Sequence, residues 1–194
     1  MRYSLLKHLF KQGFVASQIR EGNLQNPKRS AYYEGADLRG MDLSGITLSQ
    51  INLTYADLRS VDFIGADLQK VNFTHANLQG ADFTGANLQG SIFSYANLEN
   101  TCFWEADLRR TDFDYSSLSE AIFRKANLKG AWLNHVSIDL GDGFTHLTCD
   151  DELMYRFLDQ VSTFNFPKKK AFIKMLKDNG FYAKSPYAEL LDLL

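Results

Sequence analysis

Every fifth residue from Leu38 to Ile138 is a large apolar side chain, and the beat holds for 105 residues, from Ala36 to Leu140. Five residues advance an α-helix by about 500°, roughly 140° past a full turn, so these side chains would spiral around a helix and leave no apolar stripe. In a flat strand the two faces alternate, and every second member of the series would point into water. To keep all twenty-one on one inside, the chain must turn a corner once per repeat. That makes a polygonal coil whose short sides stack by backbone hydrogen bonds, each unit burying its apolar residue against the units above and below.

The position two before each centre is Ala in eleven of the twenty-one units and Ser or Thr in four more, Ser91, Thr101, Thr111 and Ser116. A second inward position with room for a methyl or hydroxyl explains that bias. Met41, Ile46, Ile51, Val61, Val71 and Val136 break the rule toward the ends, where the coil is expected to loosen or to meet a cap. From Leu58 to Leu128 the centres alternate Leu and Phe. Twenty residues per turn stack Phe63, Phe83, Phe103 and Phe123 on one side and Phe73, Phe93 and Phe113 on the opposite side. A three-sided turn would mix Leu and Phe in every column, so four sides are expected, with about five coils over about 25 Å at roughly 4.8 Å per layer.

Units such as Ala36-Asp37-Leu38-Arg39-Gly40, Ala76-Asn77-Leu78-Gln79-Gly80 and Ala81-Asp82-Phe83-Thr84-Gly85 resemble the A(D/N)LXX motif of the pentapeptide-repeat family. The resemblance covers 105 of 194 residues. It implies an all-β solenoid, a right-handed quadrilateral β-helix with four pentads per coil. Some members of that family are dimeric DNA mimics that bind type II topoisomerases such as gyrase and protect them from quinolones. This chain departs from them in two ways: its repeat carries eight cationic against thirteen acidic residues, and its unbroken register leaves no loops projecting from the rod.

The chain divides into residues 1–35, the repeat at 36–140 and residues 141–194. Open solenoid ends expose unpaired strand edges, so caps are expected at both. Leu5, Leu6, Leu9 and Phe10 have helical spacing, and Ala31 to Gly35 forms one further degenerate pentad. After Gly141 and Gly143 three helix signals follow, opened by Thr148, Pro167 and Ser185-Pro186, and Leu190, Leu191 and Leu194 offer a contact for a homodimer.

Two cysteines, Cys102 and Cys149, rule out a disulfide framework and fit a reducing, cytoplasmic compartment. The charges near the amino terminus are interleaved with apolar residues, which reads as neither a signal peptide nor a membrane span. His8, His75, His135 and His146 show no metal-ligand spacing, and no phosphate-cradling glycine motif or nucleophile elbow occurs. No enzyme, cofactor, metal or small-molecule substrate is expected. The basic run Lys168, Lys169, Lys170, Lys174 and Lys177 reads as a solvated helix face, so direct nucleic-acid binding is not expected either.

Outward positions carry the functional candidates. Asp37, Asp57, Asn77 and Asn97 form one column and Asp42, Asp62 and Asp82 another. Such carboxylates can imitate a phosphate track, but short polar side chains at corners are expected to bond local backbone N–H groups. Two residues after the centre, one corner reads Tyr55, His75, Tyr95, Tyr115, His135, a continuous aromatic column. Exposed aromatic ladders bury much area at low entropy cost. Trp104 extends the apolar outside, as do Ile92 and Trp132, whose side is expected to be covered by the carboxyl-terminal helices folding back or, as the alternative, by a partner. A basic group comprises Arg109, Arg110, Arg124, Lys125 and Lys129, with Glu105 placed one coil below Lys125 to pair with it. The leading expectation is a non-catalytic scaffold or adaptor that presents this outer surface to a protein partner. The rivals are a gyrase-binding DNA mimic and a secreted effector or adaptor acting through its carboxyl-terminal helices.

Overall fold

A computed structural model describes residues 34–137. The expected flanking helices, the leucine contact at Leu190, Leu191 and Leu194, and the last centre, Ile138, lie outside the described residues.

Seventeen parallel bridges join residues twenty apart without a gap, from Asp37 with Asp57 to Ser117 with Ser137. The described residues therefore form a four-sided β-solenoid, with five coils beginning at Ala36, Ala56, Ala76, Ala96 and Ser116. We number its faces by their centres. Face 1 carries Leu38, Leu58, Leu78, Leu98 and Leu118, and face 2 carries Leu43, Phe63, Phe83, Phe103 and Phe123. Face 3 carries Leu48, Leu68, Leu88, Leu108 and Leu128, and face 4 carries Leu53, Phe73, Phe93, Phe113 and Leu133.

A pentad with Asp or Asn before its centre suffices as the unit because all five of its backbone N–H groups can find acceptors. In residues 81–85, Ala81 donates to Leu78 of the preceding turn at 2.9 Å and Asp82 to Val61 in the coil below at 3.0 Å. Phe83 and Gly85 donate to Cys102 and Trp104 in the coil above at 2.7 and 2.8 Å. The remaining donor, Thr84, is taken by the Asp82 carboxylate at 2.8 Å. Asp42, Asn52, Asp62, Asn72 and Asp112 make the same local bond to the residue two ahead, at 2.8–3.0 Å. A buried backbone donor left unpaired costs about 1–3 kcal/mol. The Asp and Asn columns are thus part of the corner chemistry, as expected.

Each corner holds a residue with left-handed backbone two after the centre, with φ from 55° to 71° in all twenty-one corners from Gly35 to His135. That is the third residue of a type II turn, which glycine fits without cost. Gly35 shares this conformation and donates to Thr54 at 2.8 Å, so the described end of the degenerate pentad at 31–35 keeps the phase of the repeat.

All centres from Leu38 to Leu133 are at most 3% exposed. The Phe rings stack within faces 2 and 4 at 4.8–5.2 Å. Across the tube they meet edge to face at 5.8–6.3 Å. Both geometries suit the ring quadrupole. The expected loosening of the coil at its large second positions does not occur at Met41, Ile46, Val61 or Val71, all buried; only Ile51 and Val136 are partly exposed. The first coil has Leu at all four centres, and Met41, Ile46 and Ile51 fill the volume that Phe takes in later coils, keeping the interior close-packed. Buried hydroxyls are mostly satisfied: Ser91 donates to Leu68 at 2.7 Å, Thr101 to Leu78 at 3.1 Å and Thr111 to Leu108 at 2.6 Å. Ser116 Oγ has no partner among the described residues.

Candidate functional site

The corner between faces 4 and 1 carries the aromatic column. Because this corner position recurs every twenty residues and coils stack in register, five rings fall directly above one another. Tyr55–His75, His75–Tyr95, Tyr95–Tyr115 and Tyr115–His135 have centroids 4.8–5.0 Å apart, with planes within 22° of parallel. The rings use their faces on one another and turn their edges and polar tips outward; Tyr55, Tyr95 and Tyr115 are 58%, 52% and 50% exposed. All five pay for a left-handed backbone that glycine would adopt freely. On adjoining face 4, exposed Ile92 and Trp132 occupy the column of Asn52, Asn72 and Asp112. With Trp132 in place of an Asx residue, the N–H of Asn134 turns to Asp114 in the coil below, at 2.8 Å.

The remaining candidates lie elsewhere. Trp104 and Arg124 point out from face 2, Lys125 stands at the corner of faces 2 and 3, Arg109 points out from face 3, and Arg110 stands at the corner of faces 3 and 4. The corner of Lys125 is diagonally across the tube from the aromatic column, so the structure separates Trp104, Arg124 and Lys125 from the aromatic residues, with Arg109 and Arg110 further round the tube. Lys125 Nζ reaches Glu105 at 2.7 Å and lies 6.0 Å from the Trp104 ring centre. Its hydrogen bond and charge hold the Glu105 carboxyl below the usual range. Arg109 grips Asp107 with two nitrogens, at 2.6 and 2.8 Å, and lowers its pKa chiefly through that bond. Arg110 and Arg124 are exposed and unpaired among the described residues. Ile122, 44% exposed on face 2, is a surface residue that sequence reasoning passes over, although it stands in the column of Asp42, Asp62 and Asp82.

On face 1 an open groove of about 550 Å³ runs over Arg39, Arg59, Gln79 and Asn100. Its guanidinium groups are already forked onto Asp37 and Asp57 at 2.7–2.8 Å, and those bonds lower both carboxyl pKa values. The groove offers amides and hydroxyls, with no unpaired charge. Among the described residues no group of three potential metal ligands occurs, and no helix is long and apolar enough to cross a membrane.

No curated protein matches the chain. Among solved structures it is similar to a pentapeptide repeat protein from the Arabidopsis thaliana thylakoid lumen, with 28% identity, a TM-score of 0.44, and coverage of 72% of this chain and 84% of that one. A pentapeptide repeat protein from the cyanobacterium Cyanothece 51142 is 19% identical, with a TM-score of 0.46 and coverage of 59% and 91%. QnrB1, a plasmid-mediated fluoroquinolone resistance protein, is 21% identical, with a TM-score of 0.25 and coverage of 69% and 84%. A family model described as pentapeptide repeats matches in eight copies over residues 34–69, 66–105 and 105–138, more than half of the 194 residues. This chain, a right-handed four-sided β-helix, belongs to the pentapeptide-repeat family.

Proposed function

We propose that this protein is a non-catalytic scaffold that binds a protein partner along the aromatic corner of Tyr55, His75, Tyr95, Tyr115 and His135. The observation that carries the reading is the stacking of five exposed rings at 4.8–5.0 Å. Each ring restrains its neighbours' rotamers, and the solenoid fixes their spacing, so little freedom is left to lose on association. Tyr is enriched among residues that dominate binding energy, because it presents a large surface with a polar tip. Ile92 and Trp132 widen the same surface on face 4. A cytoplasmic setting, where Cys102 stays a free thiol, goes with this proposal.

The gyrase-binding DNA mimic asks for a continuous acidic face. Here Asp37, Asp57 and Asp107 are neutralised by their own arginines, which disfavours that reading. An effector acting through residues 141–194 rests on residues outside those described.

Quantitative affinity capture separates the three. The full chain and a form ending at Leu140 are expected to retain the same partner, and Tyr95→Ser with Tyr115→Ser to lose it at least about tenfold. Retention by the serine variant together with loss on truncation would transfer the activity to the carboxyl-terminal segment. Protection of gyrase supercoiling would establish the mimic instead.

A further inference from the structure

We propose that face 2 is a homodimer interface, in which two copies of this chain pack face to face with antiparallel coil axes, related by a two-fold axis at the level of Phe83. This surface lies apart from the aromatic corner and does not depend on it.

Face 2 changes character along the rod. Its residues before the centres run Asp42, Asp62, Asp82, Cys102, Ile122, and those after the centres run Ser44, Ile64, Thr84, Trp104, Arg124. The amino-terminal half is acidic and the carboxyl-terminal half is apolar and basic. Ile64, Trp104 and Ile122 are 42%, 44% and 44% exposed, three large apolar side chains on one side of a narrow rod. Cys102 and Ile122 also forgo the local bond that Asp62 and Asp82 make to the N–H two residues ahead. The sequence gives up corner stabilisation there for an apolar outside.

Charge selects both the occupant and its direction. In a parallel pairing the acidic rungs of Asp42, Asp62 and Asp82 would lie level with the same rungs of the second copy at one end, and Arg124 and Lys125 with theirs at the other, which brings like charges together at both. In the antiparallel pairing the first rung faces the fifth and the second faces the fourth. The Asp42 end then meets Arg124 and Lys125, and Ile64 meets the second copy's Trp104. With five rungs the axis passes through the third, where small Thr84 faces its own copy and lets the sheets approach, and where Asp82 against its own copy is the one like-charge contact the pairing retains. Corner bulk follows the same rule: Gly45, Gly65 and Gly85 have nothing within 4 Å of an added Cβ, while Glu105 and Lys125 stand at the opposite end. Bulky corners therefore meet open ones.

Such matching of a patch to its own rotated copy is what an isologous interface requires. The other faces lack it. Among the described residues, face 4 has exposed Ile92 and Trp132 but only acidic charges, Asp112 and Asp114, and faces 1 and 3 have no exposed large apolar residue. The first and fifth rungs are about 19 Å apart, from a layer spacing of roughly 4.8 Å. An interface this small falls at the weak end of specific contacts, so the dimer is a reversible one with a dissociation constant on the order of micromolar to tens of micromolar.

Sedimentation equilibrium on the full 22.1 kDa chain tests this. Mass is expected to rise toward twice the monomer value as concentration passes through the micromolar range. Ile64→Glu and Trp104→Lys should each weaken the dimer at least about tenfold. Combined, they place opposite charges across the axis twice over and should recover most of the loss. Asp42→Arg with Arg124→Glu supplies a second swap at the rod ends, should either first variant fail to show native dichroism. A chain that stays monomeric to about 1 mM overturns the proposal. So does a dimer indifferent to the single substitutions, or one that both swaps leave broken.

Discussion

The residue two after each centre sits where the chain turns, with φ near +60° whatever its side chain. Eight of the twenty-one corners have glycine there; the other thirteen carry side chains in a conformation that L-residues adopt at a cost of about 1 kcal/mol. Those thirteen include the aromatic column, so backbone strain accompanies the candidate surface. Where a corner side chain has no outward task, glycine should be better. Glu120→Gly is expected to raise stability by about 0.5–1 kcal/mol, the relieved strain outweighing the extra entropy of unfolded glycine. Gly40→Ala should lower it by a similar amount, although nothing lies within 4 Å of the added methyl. Urea midpoints at unchanged m-value read both effects, and equal midpoints would show that the left-handed corner is not strained. Glycine at Gly40, Gly80 and Gly85 made these corners legible in sequence. At Glu120 or Lys125 the sequence holds no such sign, because the backbone there is imposed by the ladder.

At the scale of the coil, five-residue spacing and the Leu–Phe alternation were enough to recover four sides and two opposed Phe columns. Both follow from burial, which acts on every centre alike. The filling of the first coil was not recoverable in the same way. Met41 and Ile46 look like disturbances of an alanine rule until the all-Leu centres around them show the space they occupy. The twenty-residue turn also made one corner pair legible, since it stacks Lys125 on Glu105, where the structure has them 2.7 Å apart. The interior should respond to volume accordingly. Phe103 stacks between Phe83 and Phe123 at 5.2 and 4.9 Å and meets Phe93 and Phe113 edge-on. Phe103→Ala is expected to cost about 3–5 kcal/mol, since stacked coils cannot close over the void. Phe103→Leu, the residue its column already carries at Leu43, should cost roughly 1.5 kcal/mol. Denaturation midpoints separate the two, and equal losses would mean the coil collapses around whatever fills it.

Across the whole molecule the candidates that sequence grouped by residue type divide between the aromatic corner and a set spread over face 2, face 3 and the corners bounding face 3, a division that follows from the twenty-residue turn. Charge is distributed along the same rod, and much of it is paired within single faces. Asp37, Asp57 and Asp107 have lowered pKa values, each chiefly through hydrogen bonding to the arginine two residues ahead, and Glu105 is lowered by Lys125. A carboxyl group whose pKa is depressed by folding binds its proton more tightly in the unfolded chain. Its contribution is complete above the ordinary carboxylate pKa of about 4 and is lost as pH falls through the depressed value. Stability should therefore be independent of these groups from neutral pH down to about 5, then decline below about 4. The decline should be shallow, because the pairs are solvent-screened, and shallower still in high salt. Arg59→Gln removes the main cause of the Asp57 shift, so its stability should differ from the parent at neutral pH and converge with it in acid. Thermal or urea midpoints between about pH 2 and 7 measure this. Parallel curves for parent and variant, or a stability that climbs on acidification, would show that the arginine forks seen on face 1 do not hold in solution.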